Sequence, residues 1–97
     1  MQSTATGTNL QIKINDISIS YNDLGEGDMP IIFIHGFPFD KSMWQLQMEF
    51  LKSSHRVITY DIRGYGKSTL GSEKASIDLF ADDLIEFMNI HRISILL

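Results

Sequence analysis

Residues 31–38 read IIFIHGFP. Four apolar residues in succession, three of them Ile, suit a short strand buried on both faces, as in the middle of a parallel sheet. The run stops abruptly at His35, and Gly36 and Pro38 turn the chain. In open α/β sheets, ligands bind at the carboxyl ends of strands, so this turn is the first place to expect a site.

Upstream, the pattern changes from continuous to alternating. Leu10, Ile12 and Ile14 share one face, and after Asn15-Asp16 the period of two resumes with Ile17, Ile19 and Tyr21. Two strands joined by an Asn-Asp turn form an antiparallel hairpin. Residues 1–9 are polar and small, and are expected to form a flexible tail. GEGDMP, at 25–30, has the composition of a loop.

Downstream, Asp40 or Ser42 can cap a helix running to about Ser53, with Met43, Leu46, Phe50 and Trp44, Met48, Leu51 as a broad apolar stripe. Val57 to Tyr60 is a second short β-type run. RGYGKSTLGSEK, at 63–74, is a Gly-rich loop. Ser76 is the expected cap of a second helix, with Asp78, Asp82 and Asp83 near its positive end. Ile77, Phe80, Ala81, Leu84, Phe87 and Met88 recur in it at helical period. Ile93 to Leu97 reads as a last strand. The expected class is α/β: an N-terminal hairpin, then β-α-β-α-β, in a mostly parallel sheet.

Composition narrows the function. An apolar fraction of 43% and a charged fraction of 21% over 97 residues suit one small globular unit. A net charge of −4 with no basic cluster argues against nucleic-acid binding. There is no cysteine, which rules out thiolate chemistry and zinc–thiolate sites in this chain. The three histidines, His35, His55 and His91, lack metal-ligand spacing, so neither metal nor cofactor is expected. The polar N-terminus does not resemble a signal peptide, and no apolar run nears the ~20 residues of a membrane span. The expected location is cytoplasmic, with no membrane partner.

IIFIHGFPFDKSMW, followed by RVITYDIRGYGKS, resembles the N-terminal part of an α/β-hydrolase. The resemblance implies that the backbone N–H of Phe37, after Gly36, helps form an oxyanion hole. Acyl transfer builds negative charge on a carbonyl oxygen, and a preorganised donor stabilises it. Gly36 leaves the approach open, and His35 shapes the loop rather than acting as base. Phe37, Pro38 and Phe39 are the candidate substrate-binding residues. Asp61 and Arg63 are expected to organise the second loop. GYGKST mimics a phosphate-binding loop, but the Walker spacing requires Gly where Asp61 stands.

The family's nucleophile sits on a G-x-S-x-G elbow after the fifth strand. No serine here, including Ser42, Ser53, Ser54 and Ser68, lies in such a motif. The resemblance therefore implies that residues 10–97 are the first part of the domain, ending at the strand before the elbow and incomplete without a C-terminal portion. The expected function is hydrolysis of carboxylic esters or related acyl substrates. Nucleophile, acid and catalytic His would lie beyond Leu97, and the isolated chain would be inactive. The missing portion of the domain is then the expected partner, besides a small acyl or ester substrate. Two alternatives stay open: an epoxide hydrolase or dehalogenase with an Asp nucleophile, or a non-catalytic module that binds a partner through its open sheet edge.

Overall fold

The computed structural model describes residues 6–93. The expected hairpin is present. Strand β1 (Gly7–Ile14) pairs antiparallel with β2 (Ile17–Leu24), matching Ile14 to Ile17, Ile12 to Ile19 and Leu10 to Tyr21. Asn15, at φ 55°, makes the turn in the left-handed conformation that Asn tolerates. The first strand begins at Gly7, inside the stretch read as a tail. Asn22, on β2, accepts the Asn9 N–H through its side-chain oxygen at 2.9 Å, which ties this end of the hairpin down. A register shift between Gly7 and Leu10 accommodates it.

Strand β3 (Ile31–Ile34) and strand β4 (Val57–Tyr60) complete a four-stranded sheet in the order β1-β2-β4-β3. β3 runs parallel to β4, whereas β2 meets β4 antiparallel. Among the described residues the sheet is thus mixed rather than mostly parallel, because the hairpin supplies two of its four strands. The expected strand at 93–97 lies outside the described residues, apart from Ile93, which packs against the core.

Register assigns the faces. Phe33 lies opposite Thr59, so both point away from Ile58 and Tyr60. The Phe33 side is covered by a 3-10 turn (Lys41–Trp44) that leads into α1 (Gln45–Leu51). Trp44 stacks on Phe33 with ring centroids 4.7 Å apart, and Met48 is buried. The other side is covered by α2 (Ile77–Ile90), whose Phe87 stacks on Tyr60 at 5.4 Å and meets Tyr21 edge-on at 5.2 Å. Ile14, Ile17, Ile19 and Ile58 fill the space around these rings.

Ser76 caps α2 as expected, whereas Asp40 caps the 3-10 turn and α1 itself follows Trp44, which makes no side-chain cap bond. The Asp40 carboxylate accepts the Ser42 N–H at 2.9 Å, and Ser76 Oγ accepts the Leu79 N–H at 3.1 Å. The first stripe is only half used, however. α1 has seven residues and turns one narrow face to the sheet, so Leu46 and Phe50 stand 81% and 80% exposed. In α2, Ile77 and Ala81 are likewise exposed, while the charged Asp83 is buried.

Candidate active site

Because β3 and β4 are parallel neighbours, the loops that leave their carboxyl ends emerge side by side. The first loop begins at His35, which is 3% exposed. Its Nε2 accepts the backbone N–H of Ile62 at 2.9 Å, so Nδ1 carries the proton and donates to the Gly36 carbonyl at 3.2 Å. With both ring nitrogens engaged, His35 is oriented inward and its basic lone pair is occupied.

The tip of that loop faces outward. Gly36, Phe37, Pro38 and Phe39 are all exposed, Phe37 at 81% and Phe39 at 54%. The Phe37–Pro38 peptide bond is cis, and the Phe39 N–H returns to the Gly36 carbonyl at 2.8 Å. The Phe37 N–H has no acceptor among the described residues. A Cβ placed on Gly36 would meet nothing within 4 Å, so the space in front of the turn is open.

The second loop is built on Asp61, which is 1% exposed. Its Oδ1 accepts the Lys41 N–H at 2.7 Å. Its Oδ2 accepts Lys41 Nζ at 2.8 Å and the Lys67 N–H at 2.9 Å. Gly66, at φ +52°, passes so close to this carboxylate that a Cβ there would sit 2.4 Å from Asp61 Cγ. Ser68 continues the web: its hydroxyl donates to the Asp61 carbonyl at 2.6 Å and accepts the Ser20 N–H at 2.9 Å. Tyr65 lies edge-on to His35, with centroids 5.4 Å apart, and to Phe37, at 6.2 Å. A cavity of about 380 Å³ opens beside Lys41 and Asp61 on the hairpin side, where Asn9, Asn22 and Gln45 also line it.

Arg63 works beneath this loop. It is buried, and its Nε and Nη2 each donate to Asp83 at 2.9 Å, while Nη1 reaches Asp16 at 3.1 Å. The Asp83 hydrogen bonds push the guanidinium pKa further above its already high value, and the bond from Arg63 holds the Asp16 carboxyl below the ordinary range. Asn15 Nδ2 also donates to Asp83 at 2.9 Å. Helix, hairpin turn and second loop thus meet at one guanidinium.

The five residues proposed from the sequence, His35 to Phe39, are brought together at one sheet edge. Lys41, Tyr65 and Asp83 were not foreseen there. Asp83 carries a signal, because it lies three residues after Phe80 and four before Phe87 and so falls on the buried stripe of α2. A lone carboxylate on an apolar face calls for a cation. Lys41 carries no such signal, since its partner is twenty positions away in the chain. Among the described residues no group of three or more His, Cys, Asp or Glu side chains could hold a metal ion, and no helix is long and apolar enough to cross a membrane.

A family model described as the alpha/beta hydrolase fold matches residues 29–94, which include both loops. The chain belongs to the α/β-hydrolase family. A Synechocystis protein named as a non-heme chloroperoxidase is 47% identical to this α/β-hydrolase chain over 73 residues, covering 74% of it and 26% of the relative. A bifunctional esterase/perhydrolase of Acinetobacter calcoaceticus is 38% identical over 79 residues, covering 76% and 29%. Among solved structures, a thermophilic esterase from Thermogutta terrifontis superposes with a TM-score of 0.76 at 36% identity, covering 82% of this chain and 31% of the other. The hydrolase chain therefore spans between a quarter and a third of the length of these proteins.

Proposed function

We propose that this chain supplies the oxyanion-holding turn of a hydrolase acting on carboxylic esters or related acyl compounds. What carries the reading is the Phe37 N–H: exposed, without an acceptor among the described residues, and beside the open space at Gly36. A backbone donor held in place before the reaction stabilises a developing oxyanion without having to reorganise. His35, which accepts the Ile62 N–H, and Asp61, which accepts from Lys41, hold the base of the turn and take no proton from the substrate. Phe37 and Phe39, with Pro38 between them, offer an apolar surface to the acyl or alcohol part. An esterase and an esterase/perhydrolase are among the similar proteins, as is an epoxide hydrolase, so the acyl reading rests on the Phe37 donor.

In this reading a nucleophile, its general base and the acid that orients the base come from residues beyond Leu97, and these form the partner of residues 10–97. The nucleophile gives its proton to the base and attacks the carbonyl carbon, the negative charge collects on the oxygen facing the Phe37 N–H, collapse expels the alcohol with that proton, and water then hydrolyses the acyl-enzyme to release the acid. The test is hydrolysis of p-nitrophenyl acetate by the 97-residue chain and by the protein read through beyond Leu97. No turnover is expected from the first, and turnover that depends on a G-x-S-x-G serine from the second. An aspartate at that position with turnover of an epoxide instead would replace the acyl reading. A longer protein carrying the serine but hydrolysing no ester would end it.

A further inference from the structure

The turn that presents Phe37 is tied down at both ends by consecutive residues of the neighbouring loop. At one end His35 Nε2 accepts the Ile62 N–H at 2.9 Å. At the other, Lys41 gives Asp61 two bonds, one from its backbone N–H at 2.7 Å and one from its ammonium at 2.8 Å. Between these ties, Gly36 to Phe39 are exposed and receive one internal backbone bond, from Phe39 N–H to the Gly36 carbonyl. The position of the turn therefore depends on its two anchors.

The anchors differ in kind. The first is a neutral bond made by a residue adjacent to Gly36. The second is a buried ion pair, with the Lys41 and Asp61 side chains 8% and 1% exposed. A buried ion pair is weak evidence for stability, since the cost of removing both charges from water offsets most of their attraction. It does impose geometry, because neither charge can move away without being left uncompensated. By contrast, the exposed Lys52–Glu49 pair on α1, at 2.9 Å, lies outside the turn and its anchors.

We propose that Lys41 is a positioning residue for the oxyanion turn: its ammonium, locked on Asp61, sets where the Phe37 N–H points. The inference rests on the function proposed above for its kinetic consequence, but not for its structural one. Displacing a catalytic donor by a fraction of an ångström acts on the transition state rather than on substrate binding.

The test replaces Lys41 with Met, which keeps the aliphatic stem and removes the charge, in the ester-hydrolysing protein read through beyond Leu97. We expect kcat to fall about tenfold to a hundredfold with KM within twofold. We also expect the backbone amide resonances of Gly36 and Phe37 to shift, and Lys41→Arg to recover most of the lost kcat. Lys52→Met should move none of these. A merely structural role would lower Tm while leaving kcat of the folded protein within twofold and the two amide resonances in place, and that result overturns the proposal. Should Lys41→Met fail to fold, Lys41→Gln is read on the same two measurements with the same criteria. Should the wild-type protein hydrolyse no ester, the functional reading fails, and the amide resonances alone decide whether Lys41 sets the turn.

Discussion

Asp83, on the second helix, accepts hydrogen bonds from both Nε and Nη2 of Arg63, each at 2.9 Å, with the two side chains 3% and 0% exposed. The bidentate geometry suits a planar guanidinium and fixes the loop after β4 against α2. Replacing Arg63 with Met leaves the Asp83 charge buried with only Asn15 Nδ2 as donor. The expected loss is about 3–5 kcal/mol of unfolding free energy, read from urea denaturation followed by circular dichroism. The double variant Arg63→Met with Asp83→Leu should lose less than Arg63→Met alone. A loss equal to the sum of the Arg63→Met and Asp83→Leu losses would mean that the two residues are not coupled.

Tyr60 yields a prediction at alkaline pH. Burial among aliphatic and aromatic side chains, with a smaller contribution from the Asp83 charge, pushes its hydroxyl up to about 12 from the ordinary value of 10.0. The folded state therefore favours the protonated phenol more than the unfolded state does. The resulting stability is fully present below pH 10 and is lost as pH rises toward about 12. Tyr60→Phe should flatten part of the fall in Tm across that window, the remainder coming from Tyr21, which burial also pushes up. An unchanged slope in the variant would rule Tyr60 out as the source.

Two glycines of the paired loops, Gly66 and Gly36, should respond differently. Gly66 has φ +52°, and an added Cβ would stand 2.5 Å from the Asp61 carboxylate oxygens. Gly66→Ala should cost about 1–3 kcal/mol, visible as a lowered Tm. A Cβ added at Gly36 would meet nothing within 4 Å, so Gly36→Ala should change stability by less than about 0.5 kcal/mol. Under the proposed function, any effect there should appear in ester hydrolysis by the protein read through beyond Leu97, where the methyl group would enter the space proposed for substrate. A Gly36→Ala protein that is strongly destabilised would contradict the open geometry of the turn.

His35 is predicted to act through its acceptor nitrogen. His35→Leu leaves the Ile62 N–H without the partner it has at 2.9 Å, and should cost about 1–3 kcal/mol. His35→Gln can place an oxygen near the same point and should recover part of that loss. In the wild-type protein, the Nε2 resonance should report the hydrogen-bond acceptor of the Nδ1–H tautomer. A protonated Nε2 there would reverse the tautomer and remove the tie.

Much of this was legible along the chain, and the reasons are local. The period of two from Leu10 to Tyr21, broken by Asn15-Asp16, is enough for a hairpin, because alternation and turn chemistry concern residues within a few positions of one another. Ser76 and Asp40 cap helices by bonding N–H groups two or three residues on, at the same range. The apolar stripe of α1 is wider than the face it buries, since a helical period shows which residues share a face but not how wide a face the sheet will cover. Leu46 and Phe50 lie outside that width.

By itself, then, the sequence determined the order of the described elements and the family, through patterns carried by near neighbours: IIFI as a strand, HGFP as its turn, DIRGYGKS as the companion loop. The expected burial of IIFI on both faces is not seen, since its residues are half-buried and Ile34 stands 43% exposed. The tertiary structure decided which residues hold that turn. β3 and β4 lie parallel and in register, with Ile34 beside Tyr60, so residues 35–41 come to rest against 61–68. That pairing brings Lys41 to Asp61 and Ile62 to His35, and the packing of α2 on the sheet brings Asp83 to Arg63; each bond joins segments separated by twenty or more positions.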